Sequence, residues 1–582
     1  MFSLRRLSGG ALFALVLLGA PLAAQLTTPE RTKGAQTSSY ADVMAFIDSL
    51  SHRGARMHVG TLGTSPQGRP IPYVILARPM VATPAAAKAT GKPIYYIQAN
   101  IHAGEVEGKE AVQMLMRDLT LGKLKPMLDS MIVIFVPIYN ADGNEAWGPE
   151  WRNRGEQQGP AIVGIRPNGQ GYDLNRDYVK QEAPETRGAF DLIRTWDPDL
   201  FMDLHTTDGS FHGYALTWSP GLNANRTPAN SWVQDTVLEM VRQRVRERAH
   251  FETYPYGNFG GGTPPTRWDT YESTPRYGTN LAGMTRLSIL SEAMSHDSFP
   301  RRIDATYAFV LESMRYLNEH KAEMRRHELL TAAARPDSIV VRGNQVNTSK
   351  PRMDTVLVAV TRTVDAPPRD TTAPFVRAPV IQDTIGVCAT STAGAAGGRG
   401  GRGGAGVPGG AGRGGAAGGG RRGLTESTGE VTRVYMQVFD RLDPVRKEAR
   451  PAAYLFDGSF SPVVERLRRQ GVVVEKTTAR WIGPVMHFPV DTIIRPTRRF
   501  EGHCSPVLDG HWAAATTDTV AAGSFVVSTN QRLGGLAAFL LEPASEDSYF
   551  TWNFFDPGLK PGTNAPVRRF MVMPKLATVK VP

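Results

Sequence analysis

Continuous apolar runs alternate with amphipathic stretches along residues 40–330 of this 582-residue chain. Four apolar runs are the candidate strands: residues 93–99, 131–138, 200–204 and 286–290. They lack the alternation of a strand with one wet face, so we expect both faces of each strand to be buried. Residues 107–119 and 306–326 have a helical period. The pattern predicts an α/β domain with a mixed, mainly parallel sheet covered by helices on both faces, and active-site residues near the carboxyl ends of its strands.

The pattern changes after residue 334, where short strand-like runs separated by Pro and Asp replace the helical period. We therefore divide the chain into an α/β catalytic domain at residues 36–330, a β-rich accessory segment at residues 336–390 and a C-terminal, β-rich accessory module at residues 424–582. A Gly/Arg-rich tract at residues 393–423 separates the last two. Its composition predicts a disordered linker.

Residues 1–24 have the three parts of a secretory signal peptide. Two arginines precede an apolar stretch, and a proline and two small alanines follow it. The alternative is a transmembrane anchor, but the apolar stretch is well short of the roughly 20 residues that a spanning helix needs. The sequence therefore predicts export to the periplasm or the extracellular space, with no membrane-spanning segment after the signal peptide is removed.

The formal charge of +11 is concentrated in two places. Two arginines belong to the predicted signal peptide and five to the Gly/Arg-rich tract, which contains no acidic residue, so together they account for seven of the eleven charges. A basic chain can bind nucleic acid, but the tract has no aromatic side chain on which a base would stack. We expect no nucleic-acid partner.

The chain has only two cysteines, Cys388 and Cys504. This number excludes disulfide-rich scaffolds and the zinc modules that need three or four thiolates. In an oxidising compartment the two cysteines can pair, and the equal alternative is two separate buried thiols. The sequence leaves both arrangements open.

Two histidines and one glutamate stand where candidate strands end. His102 and Glu105 lie three residues apart in the loop after the first strand, with Gly104 between them, and His205 ends the third strand. Imidazole nitrogens and a carboxylate oxygen are zinc ligands, and three protein ligands leave the fourth position for water, as a catalytic zinc site requires. We predict that these three residues bind one zinc ion. For each residue alone, a solvated loop histidine or the start of a helix is the alternative.

Other polar residues accompany this set. Asn175 and Arg176 offer an amide and a planar guanidinium, which together suit the binding of a free carboxylate. Asp173 precedes them and can orient a ligand imidazole. Glu292 ends the fourth apolar run as a lone carboxylate, which is the natural general base in a metallohydrolase.

The motifs follow one another in the order H-x-x-E, N-x-D-G, W-R, D-x-N-R, D-L-H-T and a strand-end Glu. With this order, residues 36–330 resemble the zinc carboxypeptidase family, peptidase family M14 of funnelin type. The resemblance implies the following roles: His102, Glu105 and His205 as zinc ligands, Glu292 as general base and acid, Arg152 as the electrophilic arginine, and Asn175 with Arg176 as the clamp on the terminal carboxylate of the substrate. The family also has a mobile substrate-binding tyrosine, for which Tyr271 and Tyr277 are candidates, and the spacing favours Tyr271.

The residues and the resemblance together predict an exported zinc carboxypeptidase that acts on peptides or proteins with a free C-terminal carboxylate. One alternative is a zinc-dependent amidase or deacylase acting on cell-wall peptides or acylated amino acids, since it would use the same ligands and base. Another is an inactive peptide-binding protein. In the C-terminal module we assign no role to the segment Phe500-Glu-Gly-His503 or to His511, because isolated histidines on a β-rich surface are more often structural.

Overall fold

The computed structural model describes residues 26–262, 264–271, 273–344, 351–365, 369–377, 379, 388 and 424–582. The predicted signal peptide and the Gly/Arg-rich tract lie outside the described residues. Among the described helices, none combines the length and the apolar character needed to cross a bilayer.

A mixed eight-stranded sheet forms the centre of the N-terminal half. The strands of this half are β1 (His58–Thr64), β2 (Pro70–Leu76), β3 (Ile94–Ala99), β4 (Ile132–Val136), β5 (Gly148–Pro149), β6 (Ile162–Val163), β7 (Leu200–Thr206), β8 (Leu216–Pro220), β9 (Thr253–Pro255), β10 (Asn258–Gly260), β11 (Arg267–Asp269) and β12 (Leu287–Ala293). The order of strands in the sheet is β1-β2-β4-β3-β7-β12-β8-β9. The central strands β4, β3, β7 and β12 pair in parallel, whereas β1, β2 and β8 join antiparallel. The predicted fold class is confirmed.

Helices cover this sheet on both faces. They are α1 (Thr28–Thr32), α2 (Tyr40–His52), α3 (Pro84–Ala89), α4 (Glu107–Thr120), α5 (Ala141–Glu145), α6 (Glu150–Asn153), α7 (Pro184–Trp196), α8 (Pro228–Trp232), α9 (Leu238–Ala249), α10 (Gly278–Gly283), α11 (Phe299–Glu319) and α12 (Lys321–Ala333). Alternate residues of β3 enter opposite cores: Tyr95 packs with α2, α4 and α11, and Tyr96 packs with α7. Both faces of the strand are therefore apolar, as its continuous run predicted.

The single long helix predicted over residues 306–326 is wrong. The structure has two helices, α11 and α12, separated at His320. The backbone of His320 is not helical (φ −108°, ψ 26°), and its ring stacks on Tyr316 with Nδ1 2.8 Å from the Tyr316 carbonyl oxygen. A side chain that bonds to the preceding turn in this way competes with continuation of the helix, and the apolar period gave no indication of it.

The C-terminal half is rich in strands, as predicted. It contains β13 (Ser338–Asn344), β14 (Arg352–Val364), β15 (Leu424–Phe439), β16 (Asp443–Ala449), β17 (Ala453–Phe456), α13 (Ser461–Arg469), β18 (Glu475–Thr477), β19 (Trp481–Val485), β20 (Val490–Ile494), β21 (Val507–Gly510), β22 (Thr516–Val520), β23 (Phe525–Ser528), α14 (Gly534–Leu541), β24 (Arg568–Phe570) and β25 (Thr578–Lys580). Its main sheet has the order β24-β17-β23-β18-β25.

The C-terminal half packs directly on the N-terminal half. Strand β15 pairs antiparallel with β14 and in parallel with β11 of the N-terminal half. Phe190 and Ile193 of α7 share one apolar core with Leu467 of α13 and Leu536 of α14. Of the two arrangements that the sequence left open for the cysteines, the structure has the disulfide Cys388–Cys504. The C-terminal half therefore pairs with a strand of the N-terminal half and shares an apolar core with one of its helices.

Candidate metal centre and active site

His102, Glu105 and His205 converge at the carboxyl ends of β3 and β7. Their candidate ligand atoms all lie within 4.8 Å of one another, and all three side chains are buried. Nδ1 of His102 is 2.9 Å from one carboxylate oxygen of Glu105, and Nδ1 of His205 is 2.9 Å from the other. Two imidazole nitrogens and one carboxylate facing a single point form a suitable donor set for zinc.

The loop after β3 gives His102 and Glu105 this arrangement. Asn100 has a left-handed backbone (φ 65°), and its side-chain amide donates to the carbonyl oxygens of Ala103 and Glu105. A Cβ atom at Gly104 would lie 2.6 Å from Cγ of Arg154, so this position requires glycine for the close approach of that side chain. The two hydrogen bonds from Asn100 and the absence of a side chain at Gly104 allow His102 and Glu105 to lie close together.

The outer nitrogen of each histidine faces an aspartate. Nε2 of His102 lies 3.0 Å from Asp173, and Nε2 of His205 lies 3.0 Å from Asp203. Such partners hold the ring orientation of metal-binding histidines and leave the other nitrogen for the metal. The orienting contact expected for Asp173 is present as a hydrogen bond, whereas Asp203 lies within ion-pair distance of His205 without hydrogen-bonding geometry.

Two arginines lie beside the Glu105 carboxylate. Nη1 of Arg154 is 3.1 Å and Nη1 of Arg166 is 3.6 Å from the same oxygen, and Nε of Arg166 donates to Asp173 at 2.8 Å. Burial alone would raise the pKa of Glu105, but His102 and Arg154 hold it well below its usual value. Glu105 is therefore kept as a carboxylate, the form that binds a metal ion.

Arg152, which was expected at the site, is placed elsewhere. It is exposed, and its guanidinium stacks over the ring of Phe375. Arg152 and Arg154 both start in or just after α6, and two residues apart on a helix point to different sides. The side chain that reaches the Glu105 carboxylate is therefore that of Arg154, whereas Arg152 lies against Phe375.

Glu292 lies in β12, the strand next to β7. It is 7% exposed, and burial together with the nearby Glu105 raises its pKa well above the usual value, although His205 opposes the shift. Two tyrosines lie close to this carboxylate, since its charge acts on the pKa of both Tyr256 and Tyr271, which burial raises. The rings of these tyrosines are 5.2 Å apart.

Asn175 and Arg176 form a short 3₁₀ turn that begins at Asp173 (Leu174–Arg176). The side-chain oxygen of Asn175 accepts the backbone N–H of Gly278 at 3.0 Å, which fixes the amide and aims its NH₂ group away from that contact. The guanidinium of Arg176 lies 4.0 Å from the centre of the Tyr277 ring. Tyr271 and Tyr277 are the two candidates for the substrate-binding tyrosine. They are neighbours in the structure, and their ring centres lie 5.7 Å apart.

Residues 43–274 match the family model of zinc carboxypeptidases. The matched span contains the three converging residues His102, Glu105 and His205, and it ends before Glu292. Residues 43–274 belong to the zinc carboxypeptidase family. The match indicates a hydrolase of the metallocarboxypeptidase class, and the catalytic domain expected from the sequence, residues 36–330, is called the carboxypeptidase domain below.

Relatives of the carboxypeptidase extend the similarity beyond the matched span. Carboxypeptidase 2 of Trichophyton rubrum is 20% identical over 496 residues, which cover 83% of this chain and 78% of that protein. Carboxypeptidase 2 of Trichophyton equinum is 21% identical over the same length and shares. An alignment of this length includes much of the C-terminal half as well as the carboxypeptidase domain.

Solved carboxypeptidase structures resemble part of the chain. Carboxypeptidase A from Helicoverpa armigera has a TM-score of 0.38 and 16% identity, covering 52% of this chain and 79% of its own. A metallo-carboxypeptidase from Burkholderia cenocepacia has a TM-score of 0.37 and 16% identity, covering 49% of this chain and 71% of its own.

Sequence reasoning missed several residues of the carboxypeptidase site. Arg154 lies two positions after Arg152. The short helix at this point was the available signal that the two side chains point to different sides. Arg166 and Tyr256 belong to no motif that the sequence singled out. Glu501 accepts the backbone N–H of Asp173 at 3.1 Å, although 328 residues separate them, and no pattern near it in the chain indicates that contact.

Proposed function

We propose that this protein is an exported, zinc-dependent metallocarboxypeptidase that hydrolyses the C-terminal peptide bond of peptides or proteins, with Glu292 as the general base. The observation that carries the proposal is the convergence of His102, Glu105 and His205 beside a buried glutamate on the adjacent strand. Each member of this set comes from the end of a central strand, where sites of open α/β sheets form.

The residues present fit one zinc ion. Nδ1 of His102 and Nδ1 of His205 face the same carboxylate, and aspartates occupy the other side of each ring. A zinc ion bound there would act as a Lewis acid, lowering the pKa of a water molecule and polarising the scissile carbonyl group.

Glu292 would serve as the general base and then as the general acid of the reaction. Its buried carboxyl group has a raised pKa, which suits a group that takes a proton from the attacking water and returns it to the leaving amine. The Glu292 side chain leaves the same face of the sheet as that of His205, because the two residues are register partners in the parallel pairing of β12 with β7. The base and the ligands are thus supplied by neighbouring strands.

Arg166 is the arginine best placed to stabilise the carbonyl oxygen as it gains negative charge. Its guanidinium lies beside Glu105 and is held by Asp173 at 2.8 Å, so it is fixed before the reaction begins. A prepositioned donor of this kind contributes more than a mobile one, because no reorganisation is needed when the charge develops. Arg166 replaces Arg152 in this role.

Asn175 and Arg176 would bind the terminal carboxylate of the substrate. The contact from Gly278 aims the amide donor of Asn175, and the Tyr277 ring supports the guanidinium plane of Arg176. An amide and a guanidinium together favour a free carboxylate over a blocked C-terminus. Tyr271, near Glu292, would cover the bound substrate.

The test is hydrolysis of matched peptides that differ only in the C-terminus, a free acid or an amide, with products identified by mass spectrometry. We expect loss of single C-terminal residues from the free acid alone, inhibition by a zinc chelator and recovery on adding zinc. Equal cleavage of the amide, or cleavage only of cell-wall peptides or acylated amino acids, would favour the amidase or deacylase. Secretion of the full-length chain, with cleavage near Ala24, tests the proposed export.

A further inference from the structure

A tight hairpin of the C-terminal half reaches the carboxypeptidase site. Phe500 and His503 exchange two backbone hydrogen bonds of 2.8 and 3.0 Å, which leaves Glu501 and Gly502 as a two-residue loop. Both loop residues have positive φ, 51° and 85°. Two left-handed residues in succession suit a two-residue hairpin loop, in which Gly and Asn are strongly preferred. Glutamate at the first position is therefore unfavourable for the turn itself.

The hairpin is anchored on both sides. Nε2 of His503 is 3.0 Å from Glu182 of the carboxypeptidase domain, and Nδ1 is 3.2 Å from Asn553. The next residue, Cys504, forms the disulfide with Cys388. Contacts on two sides and a covalent link hold the loop against the site.

Glu501 contacts the residue that orients the first candidate ligand. Its Oε2 accepts the backbone N–H of Asp173 at 3.1 Å, and Asp173 faces His102 at 3.0 Å. Asp173 also begins the turn that carries the carboxylate clamp, because its side chain accepts the N–H of Asn175 at 2.9 Å. One hydrogen bond from the C-terminal half thus fixes the backbone from which both the metal ligand and the clamp are oriented.

The surroundings of Glu501 disfavour the ionised form of its carboxyl group. Burial and the neighbouring carboxylate of Asp173 raise the pKa of Glu501 to about 7, while Lys180 and Arg176 oppose the shift. A residue with an unfavourable backbone conformation and an unfavourable charge environment points to a functional constraint.

We propose that Glu501 is a positioning residue of the metal site, so that the C-terminal half completes the active site of the carboxypeptidase. The inference rests on the proposed function for its catalytic consequence, whereas its effect on metal binding can be measured separately. Glu501 acts through its hydrogen bond with the Asp173 backbone.

The test compares Glu501→Gly with Glu501→Gln in the full-length protein. Glycine removes the acceptor but adopts the φ of 51° without strain, so we expect an unchanged or higher melting temperature. Zinc affinity, measured by competition with a chromophoric chelator, should fall about 3- to 10-fold, less than the 10- to 100-fold loss for a direct outer partner. Glutamine keeps an accepting oxygen and should stay within about two-fold of the wild type.

His250→Gly is the matched control. His250 also has a left-handed backbone (φ 60°), is exposed and directly follows α9 as its C-cap. It should gain stability in the same way without any change in zinc affinity or turnover. A loss confined to Glu501→Gly therefore arises from the contact with Asp173.

Wild-type zinc affinity and kcat in Glu501→Gly would overturn the inference, and so would equal losses in the glycine and glutamine variants. If the wild-type protein binds zinc but hydrolyses no peptide, the proposed function fails while the zinc-affinity series still decides the role of Glu501. A wild-type protein that binds no zinc overturns both.

Discussion

Glu292 and His205 are direct partners in the parallel pairing of β12 with β7. Paired residues of adjacent strands project to the same face of a sheet, so the candidate base and one candidate ligand leave the sheet side by side. The register between two strands therefore sets the distance across which the proton transfer of the proposed mechanism takes place. A shift by one residue would turn one side chain to the opposite face.

Replacement of Glu292 by glutamine should separate metal binding from turnover. Glu292→Gln keeps the shape of the side chain but cannot accept the proton, so we expect kcat to fall about 10²- to 10⁴-fold, the usual contribution of a general base. Metal analysis of the purified variant should show the wild-type zinc content, whereas His205→Ala should lose zinc. Peptidase activity close to wild type in Glu292→Gln would contradict the assignment of the base.

Two arginine variants should distinguish the guanidinium beside Glu105 from the one that lies over Phe375. Arg166 lies beside Glu105 and Asp173, so Arg166→Ala should lower kcat about 10²- to 10³-fold, as loss of one oxyanion donor does. Arg152→Ala removes an exposed stacking contact with Phe375 and should leave kcat near wild type. Steady-state kinetics on one peptide measures kcat for both variants. A larger loss of kcat in Arg152→Ala than in Arg166→Ala would assign stabilisation of the carbonyl oxygen to Arg152 instead.

The proposed carboxylate clamp predicts a specific defect in substrate binding. Arg176→Ala should lower kcat/KM for peptides with a free C-terminus about 10- to 150-fold, the worth of a hydrogen bond to a charged group. Arg176→Lys keeps the charge but loses the planar pair of donors, so it should be intermediate. If both variants retain the wild-type kcat/KM, the substrate carboxylate is bound elsewhere.

A buried acid in the C-terminal half should make stability depend on pH. Burial raises the pKa of Glu542 to about 7, against the opposing hydrogen bonds from Tyr454 and Trp512, with Glu448 adding to the rise and Arg569 opposing it. The folded chain thus holds this proton more tightly than the unfolded chain. Its contribution to stability is full below about pH 4.5 and is lost as the pH rises through about 7.

Glu542→Gln tests this sign, because the amide cannot titrate. Denaturant unfolding at several pH values should show that the variant gains stability over the wild type between pH 5 and 8, by about 2–4 kcal/mol at the upper end. A difference between the two proteins that stays constant with pH would exclude Glu542 as the source. Unfolding curves well below pH 4.5 serve as the internal reference, since Glu542 is then mainly neutral in both the folded and the unfolded chain.

Much of the fold of the N-terminal half was predictable because its central strands are buried on both faces. The runs at residues 93–99 and 131–138 became β3 and β4 with small changes at the ends. The helix over residues 306–326 was predictable in type but not in extent. Its interruption depends on the backbone of His320 and a bond to Tyr316, and neither changes the apolar period.

The sequence by itself determined the fold class and which ends of strands carry His102, Glu105, His205 and Glu292, because each follows or closes a continuous apolar run. Only the tertiary structure decided that Arg154 and Arg166, not Arg152, lie beside Glu105, and that Glu501 contacts Asp173. Apolar periodicity records which segments are buried. It does not record which polar side chains, from a helical turn or from 328 residues away, fill the remaining hydrogen-bonding positions around a buried carboxylate.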